Sequence, residues 1–124
     1  MNKLKVLVVD DDEMHLKLVD AMLAPQGYQV DKLKDGKDVL RTVQLRRPDI
    51  ILMDVMMPEV DGYAALNALK SNGDTKSIPV VMVSSVGLEM NKKFAGDLGA
   101  NGYITKLLHL QELLKTIGSL VPPG

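Results

Sequence analysis

The fold of this chain is decided by residues 6–13, which read VLVVDDDE. An apolar run meets four consecutive acids there. A continuous apolar run is typical of a parallel strand that helices cover on both faces. Four further runs have strand character, at residues 29–33, 50–53, 80–83 and 103–105. The run at 29–33 alternates polar and apolar residues, which predicts a strand at the edge of the sheet.

Segments with helical spacing separate these runs. The first predicted helix ends before Pro25 and has one apolar side, formed by Met14, Leu18, Ala21 and Met22. Three more helices are predicted from their apolar residues, around Val39 and Val43, around Met90, Phe94 and Leu98 up to Gly99, and from Leu110 to Val121. Alanines at 64, 65 and 68 predict another helix, from Tyr63 to Leu69. Strands that alternate with helices predict a doubly wound α/β sandwich with right-handed crossovers. Ligands of such sheets bind at the carboxyl ends of the strands.

The composition excludes several classes of function. The chain has 124 residues, which suits one compact domain, and no Cys, so a disulfide framework, a thiolate metal site and a cysteine nucleophile are excluded. Its 15 Lys and Arg against 16 Asp and Glu give a net charge of -1, which offers no bulk attraction to nucleic acid or membrane surfaces. We see no membrane span or signal peptide, and we expect a cytoplasmic protein.

Acidic residues follow two of the predicted strands. Asp10 and Asp11 come after the first strand, and Asp54 ends the third. If these strands are neighbours, the three carboxylates converge, and their repulsion costs stability unless a cation joins them. All-oxygen ligands favour magnesium, whereas Asp12 is best placed to cap the following helix. A metal-bound aspartate can attack a phosphoryl group and form an acyl phosphate.

Two other strands end in groups that handle phosphate. Ser84 ends the fourth strand, and Lys106 follows the fifth. Alone, a serine at a strand end is an ordinary turn residue and a lysine is usually solvated. A hydroxyl donates to phosphoryl oxygens, and an ammonium supplies a point charge. With the acids included, four of the five predicted strands end in a group that can handle phosphate, all at one edge of the sheet.

The sequence resembles the receiver domains of bacterial two-component signalling, and among them the single-domain chemotaxis regulators. The resemblance rests on four stretches in order, VVDD at 8–11, MDVMMP at 53–58 followed by DG at 61–62, MVS at 82–84, and GANGYITK at 99–106. It covers residues 1–121 and leaves 122–124 as a tail or the start of a linker. It implies a flavodoxin-like (βα)5 fold with a five-stranded parallel sheet in the order 2-1-3-4-5.

The resemblance implies a phosphorylation-switched signalling module rather than an enzyme. Asp54 would accept a phosphoryl group from a sensor histidine kinase or a phosphotransfer protein. Mg²⁺, for which Mn²⁺ could substitute, would be held by Asp11, Asp54 and the backbone carbonyl of Met56, with Asp10 acting through water. Phosphorylation would change the face around helix 4, strand 5 and helix 5, which binds a downstream protein. We expect a monomer that contacts neither nucleic acid nor membrane directly.

The same resemblance implies three switch roles and shows one departure. Ser84 would be the switch hydroxyl, Lys106 the phosphate-binding residue, and Tyr103 the aromatic that turns inward, although Tyr103 could equally be a half-buried packing residue. Leu107 stands where the family usually has a proline joined by a cis peptide. A cis bond before a non-proline residue costs roughly 3 kcal/mol, so either that strain is retained or the peptide is trans. We expect Lys106 still to reach the site, since its strand fixes its direction.

Other interpretations stay open. A phosphate-independent scaffold with the same fold is one, and an aspartyl-nucleophile phosphatase is another, because Asp10 and Asp12 form an Asp-x-Asp pair after a strand. Met14 stands where the phosphatase pattern expects Thr or Val, and the chain has no room for a substrate cap. We interpret His15 and His109 as surface or packing residues, since the sequence places no carboxylate at metal-ligand spacing beside either.

The acyl phosphate of this chain is expected to decay slowly. Met56 and Val86 are apolar where the family often has polar side chains near the attacking water, so neither can orient that water. We predict that Met56→Asn speeds the loss of the phosphoryl group several-fold, measured as the decay of the phosphorylated mass with time. Asp54→Ala is the blank, since it lacks the acceptor. An unchanged decay rate in Met56→Asn would contradict the prediction.

Overall fold

The strands and helices alternate along the chain. A computed structural model describes residues 3–57, 60–84, 89–106 and 110–121. The main sheet has five strands, β1 (Lys5–Val9), β2 (Gln29–Leu33), β3 (Ile50–Asp54), β4 (Val80–Ser84) and β5 (Gly102–Thr105). Five α-helices accompany them, α1 (Glu13–Leu23), α2 (Val39–Arg46), α3 (Gly62–Ser71), α4 (Glu89–Asp97) and α5 (Leu110–Leu120). The predicted alternation of strands and helices is confirmed.

The sheet is parallel throughout, in the order β2-β1-β3-β4-β5. This confirms the predicted 2-1-3-4-5 order and places β2 at an edge, as its polar alternation predicted. Val9 at the end of β1 lies opposite Met53 of β3. The carboxyl ends of these two strands therefore lie side by side within the sheet, and the acids that follow them share one edge.

A hydrophobic core covers each face of the sheet. Alternate strand residues enter the two cores, since successive side chains of a strand point to opposite faces. One core joins the sheet to α1 and α5 through Leu16, Val19, Leu23, Leu113 and Ile117. The other joins it to α2, α3 and α4 through Val39, Val43, Leu66, Leu69 and Ala95. The predicted doubly wound sandwich is confirmed by this division of helices between the two faces.

The prediction for the buried side of α1 was wrong. Met14 is 73% exposed and Leu18 is 48% exposed. The structure instead buries a side formed by His15, Leu16, Val19 and Leu23. Both sides carry apolar residues at helical spacing, so the periodicity alone did not distinguish them. Packing against the sheet selects the side that is buried. The Asp12 side chain accepts a hydrogen bond from the backbone N–H of Met14 and caps the first turn.

Helix α4 also turns a different residue towards the sheet. Its spacing placed Phe94 on the apolar side, but this ring is 51% exposed and meets Tyr63 of α3 edge-on, with centroids 4.9 Å apart. Ala95 is fully buried instead. The predicted end of the helix is confirmed at Gly99, whose φ of 101° lies in the left-handed region that favours glycine.

A small hairpin that the sequence did not predict follows β3. Met56–Met57 pairs with Val60–Asp61 in antiparallel fashion. Strands of two residues are too short to produce an alternating pattern, so the sequence carries no signal for them. The backbone N–H of Gly62 then donates to the carbonyl oxygen of Val55 at 2.8 Å. This hydrogen bond closes the loop onto the end of β3.

Several expectations concern parts of the chain outside the described residues. These are the peptide geometry at Leu107, the surroundings of Val86 and His109, the side chain of Met56, and the tail at 122–124. They stay predictions, as does the boundary at residue 121.

We predict that Gly62→Ala destabilises the fold. A Cβ at residue 62 would lie 2.1 Å from the carbonyl oxygen of Asp54 and 2.8 Å from that of Val55, well inside van der Waals contact. We expect the free energy of unfolding, measured by urea denaturation, to fall by roughly 3 kcal/mol. Gly118→Ala in α5 is the matched control, because a Cβ there meets nothing within 4 Å and should cost no stability. Equal stability of Gly62→Ala and the wild type would contradict this account of the loop.

Candidate functional site

Three carboxylates meet where β1 and β3 end. One carboxylate oxygen from each of Asp10, Asp11 and Asp54 lies within 4.8 Å of the others. Asp10 is fully buried and Asp54 is 5% exposed, whereas Asp11 faces solvent. The structure therefore brings together the three acids that the sequence selected, at an edge that solvent reaches from the side of Asp11.

Lys106 reaches this acidic group from the end of β5. Its Nζ lies 3.2 Å from Asp54 Oδ2 and 3.4 Å from Asp10 Oδ2. Its backbone N–H donates to the carbonyl oxygen of Ser84 at 2.7 Å, so the pairing of β4 with β5 extends to Lys106 and aims its side chain. Burial alone would lower the pKa of the Lys106 ammonium, but the charges of Asp10 and Asp54 outweigh burial and raise that pKa.

The Asp10 carboxylate contacts a backbone N–H, an imidazole and an ammonium. Its Oδ1 accepts a hydrogen bond from the backbone N–H of Asp12 at 2.9 Å, and its Oδ2 lies 2.5 Å from His15 Nδ1. Burial alone would raise the pKa of Asp10. The contact with His15, the hydrogen bond from Asp12 and the charge of Lys106 together hold the pKa below its ordinary value. Asp10 is therefore ionised at neutral pH although it is buried.

His15 was predicted to be a surface or packing residue, and the structure buries it beside a carboxylate that the sequence spacing did not indicate. The imidazole is 7% exposed and in close contact with Asp10, without the geometry of a linear hydrogen bond. His15 is the third residue of α1, counting from the first residue after the Asp12 N-cap. That position was the available signal: once Asp12 is recognised as the cap, His15 is the first residue of the helix to point inward, towards the end of β1.

Ser84 and Tyr103 belong to the same end of the sheet. Ser84 is 5% exposed and is the last residue of β4, whose Val83 lies opposite Asp54 of β3. Tyr103 in β5 is half-buried and packs on the core that α2, α3 and α4 cover. Burial and the neighbouring Tyr103 hydroxyl raise the pKa of Tyr63 to about 12. Tyr63 is therefore neutral at physiological pH, and it lies next to Tyr103.

The acidic group has the donor set of a magnesium site. Carboxylate oxygens are the ligands that this hard cation prefers, and a site open on one side leaves room for its bound waters. The described part of the site sets one positive charge, on Lys106, against three carboxylates. That excess of negative charge at a partly buried edge favours the binding of a divalent cation.

Comparison with known proteins identifies the family. A family model for the response regulator receiver domain matches residues 6–118. The chain belongs to the response regulator receiver domain family. It is 34% identical over 117 residues to protein PilH of Pseudomonas aeruginosa, an alignment that covers 94% of this chain and 97% of PilH. The crystal structure of chemotaxis protein CheY4 of Vibrio cholerae superposes with a TM-score of 0.90 at 30% identity, covering 97% of this receiver domain and 100% of CheY4.

Other relatives include a receiver domain with a bound metal ion and a protein about twice as long as this chain. The receiver domain of sensor histidine kinase PA1611 from Pseudomonas aeruginosa, whose crystal structure has a magnesium ion coordinated in the active-site cleft, is 25% identical. It superposes with a TM-score of 0.89 over 98% of this chain and 100% of its own. The chain also matches 49% of the probable transcriptional regulator ycf27 of Cyanophora paradoxa, at 35% identity over 121 residues. It therefore spans nearly all of some relatives and about half of others.

Membership of the family carries a general biochemical role. Receiver domains take phosphoryl groups from histidine kinases or phosphotransfer proteins and act on downstream targets, and they are phosphoacceptors rather than enzymes. In the ranges of this receiver domain that the structure describes, no helix has the length and apolar character needed to cross a membrane.

We predict that Lys106→Met destabilises the fold, because the repulsion between Asp10 and Asp54 is no longer offset by an ammonium. The variant should lose roughly 1–3 kcal/mol of unfolding free energy at pH 7 in metal-free buffer, because buried carboxylates lose the ammonium that they face. The lowered pKa of Asp10 stabilises the wild type above its ordinary value of 3.8, and this stabilisation is lost as the pH falls through the folded-state pKa. The difference between wild type and variant should therefore narrow on acidification.

The difference in stability between the wild type and Lys106→Met should also narrow at high pH. The raised pKa of Lys106 gives stability that is present below its ordinary value of 10.5 and lost as the pH rises through the folded-state pKa. Urea denaturation across these ranges measures both effects. Lys115→Met, at an exposed position of α5, is the matched control and should change stability little. A gap between Lys106→Met and wild type that stayed constant with pH would refute the electrostatic explanation.

Proposed function

We propose that this receiver domain is a signalling switch that accepts a phosphoryl group on Asp54. The observation that carries the proposal is the setting of the Asp54 carboxylate. It is 5% exposed, it lies 3.2 Å from the Lys106 ammonium, and it shares its edge of the sheet with Asp10 and Asp11. An aspartate so placed can act as a nucleophile, since its carboxylate lies beside an ammonium that can also bind phosphoryl oxygens.

The proposed transfer is a displacement at phosphorus. A carboxylate oxygen of Asp54 attacks the phosphorus of a phosphohistidine on the kinase or phosphotransfer protein and forms an oxygen–phosphorus bond. The phosphorus–nitrogen bond breaks, and its electron pair returns to the imidazole nitrogen of the donor. Lys106 stands where its charge can offset the negative charge of the phosphoryl oxygens during transfer. The product is an acyl phosphate, a mixed anhydride that water can hydrolyse.

We propose magnesium as the cofactor of this transfer. Asp11, Asp54 and the backbone carbonyl of Met56 would hold the ion, and Asp10 would act through water. The contacts of Asp10 support that division, since both of its oxygens already face N–H or ammonium groups of the chain. The magnesium in the cleft of the PA1611 receiver domain is further support. When bound, such an ion neutralises the carboxylates and polarises the phosphoryl oxygens, and Mn²⁺, which takes similar ligands, could substitute.

The proposed switch runs from the phosphoryl group to the surface of α4 and β5. A new dianion on Asp54 would draw in the Ser84 hydroxyl and the Lys106 ammonium, and the vacated space would let Tyr103 turn inward. Tyr103 already lies half-buried in β5 and lines a surface pocket with Lys92 and Gly96 of α4. A movement of this ring would therefore alter the face around α4, β5 and α5, where we place the binding of a downstream protein.

Other features complete the proposal. The sequence supports slow loss of the phosphoryl group, through the apolar residues Met56 and Val86. The net charge of -1 supports a protein partner in preference to direct contact with nucleic acid or membrane. We further propose that the chain acts as a monomer in the cytoplasm.

We predict that acetyl phosphate and Mg²⁺ add one phosphoryl group to the wild type and none to Asp54→Asn. The asparagine has nearly the same shape as the aspartate but lacks the nucleophilic carboxylate. Intact mass spectrometry measures the product, and chelation of Mg²⁺ with EDTA should abolish the reaction of the wild type. Asp97→Asn, at an exposed position of α4, is the matched control and should still gain the group.

Each contrary result points to a different function. A wild type that gains no mass would contradict the proposal and favour the phosphate-independent scaffold. Phosphorylation of Asp54→Asn to the wild-type level would show that another residue is the acceptor. Catalytic turnover of a generic phosphomonoester by the wild type would favour the aspartyl-nucleophile phosphatase.

A further inference from the structure

One buried histidine beside the acidic group has no part in the proposed transfer. His15 is 7% exposed, and its Nδ1 lies 2.5 Å from Oδ2 of Asp10. It shares the buried side of α1 with Leu16, Val19 and Leu23. An apolar residue at position 15 would fill this core position without the cost of removing an imidazole from water. The contact with a functional carboxylate is therefore the feature that distinguishes His15 from its helix neighbours.

The Asp10 carboxylate determines which imidazole nitrogen carries a proton. A bare Nδ1 facing Oδ2 would place two hydrogen-bond acceptors in contact, whereas an N–H at Nδ1 is attracted to the carboxylate. Nε2 of His15 is buried and has no hydrogen-bond partner within the part of the chain that the structure describes. His15 therefore acts on Asp10 through an N–H at Nδ1.

We propose that His15 is a positioning residue that fixes the orientation of the Asp10 carboxylate and, through it, the water by which Asp10 contributes to magnesium binding. This inference rests on the proposed function, because it concerns the same site. The backbone N–H of Asp12 holds Oδ1 at 2.9 Å while His15 contacts Oδ2. Rotation of the Asp10 side chain would break both contacts, so the connection from β1 to α1 holds this carboxylate at both oxygens.

The contact of His15 with Asp10 would become more important if Lys106 moved away from Asp10. Lys106 Nζ lies 3.5 Å from Oδ1 and 3.4 Å from Oδ2 of Asp10, while it also faces Asp54 at 3.2 Å. A phosphoryl group on Asp54 would draw the ammonium towards it and away from Asp10. His15 and the N–H of Asp12 do not take part in that movement. They would keep Asp10 oriented in the phosphorylated protein as well.

The test compares the magnesium affinity of two His15 variants by calorimetric titration of the full chain with MgCl₂. His15→Leu keeps an apolar side chain of similar size and removes the N–H. His15→Asn places an amide N–H near the position of Nδ1. Loss of a group that supports a metal ligand commonly costs 10–100-fold in metal affinity. We expect roughly a tenfold loss in His15→Leu and recovery of most of it in His15→Asn.

A double-mutant cycle with Asp10→Asn separates positioning from packing. If His15 acts through the carboxylate, His15→Leu weakens magnesium binding in the wild-type background and has no further effect in the Asp10→Asn background. An equal loss in both backgrounds would assign His15 a purely structural role and overturn the proposal. So would a magnesium affinity of His15→Leu equal to that of the wild type, or a failure of His15→Asn to restore binding.

The design also keeps this inference separate from the proposed function. Circular dichroism establishes first that each variant folds, and His15→Met replaces His15→Leu if the latter does not, since Met adapts to irregular space in a core. Acetyl phosphate labelling is run beside each titration. A wild type that is not phosphorylated contradicts the proposed function. A phosphorylated wild type together with unchanged magnesium affinity in His15→Leu overturns only the role of His15.

Discussion

Three carboxylates repel one another at one edge of the sheet, and the surrounding elements supply the groups that offset this repulsion. Asp10 and Asp54 are buried there and Asp11 lies beside them. Lys106 supplies the opposing charge from the end of β5, and the backbone N–H of Asp12 donates a hydrogen bond to Asp10. The repulsion between these carboxylates is unfavourable. In the proposed function, a divalent cation or a phosphoryl group would change that repulsion and so move the groups around it.

The remainder of the fold serves to hold that edge in place. The apolar strands β1, β3 and β4 are buried on both faces, which fixes their ends relative to one another. The loop after Asp54 returns tightly to the strand, where Gly62 lies against the carbonyl oxygens of Asp54 and Val55 with no space for a side chain. The close return explains in steric terms why glycine follows Asp61, and it ties the start of α3 to the proposed acceptor.

The carboxylates of Asp10 and Asp54 are contacted by groups from two different parts of the fold. Lys106 lies between Asp10 and Asp54 and contacts both carboxylates. His15 and the N–H of Asp12 depend on α1 alone. In the proposed switch, Lys106 would move on phosphorylation while the contacts of Asp10 with α1 stay fixed. Tyr103 lies beside Tyr63 and lines the pocket next to α4, where the proposed switch would reach the protein surface.

The α/β class, the five strands, the edge position of β2 and the acids at the strand ends could all be predicted from the sequence. The reason is that apolar runs, the turn residues between them and the residues that end them are local features of the chain. Which side of α1 is buried depends on the folded domain, since two sides of this helix are apolar and packing against the sheet selects one of them. For the same reason only the folded chain could bring His15 against Asp10 and leave Phe94 half-exposed on Tyr63. Contacts between elements depend on how each helix is rotated against the sheet, and that rotation is set by packing over the whole domain rather than by spacing within one segment.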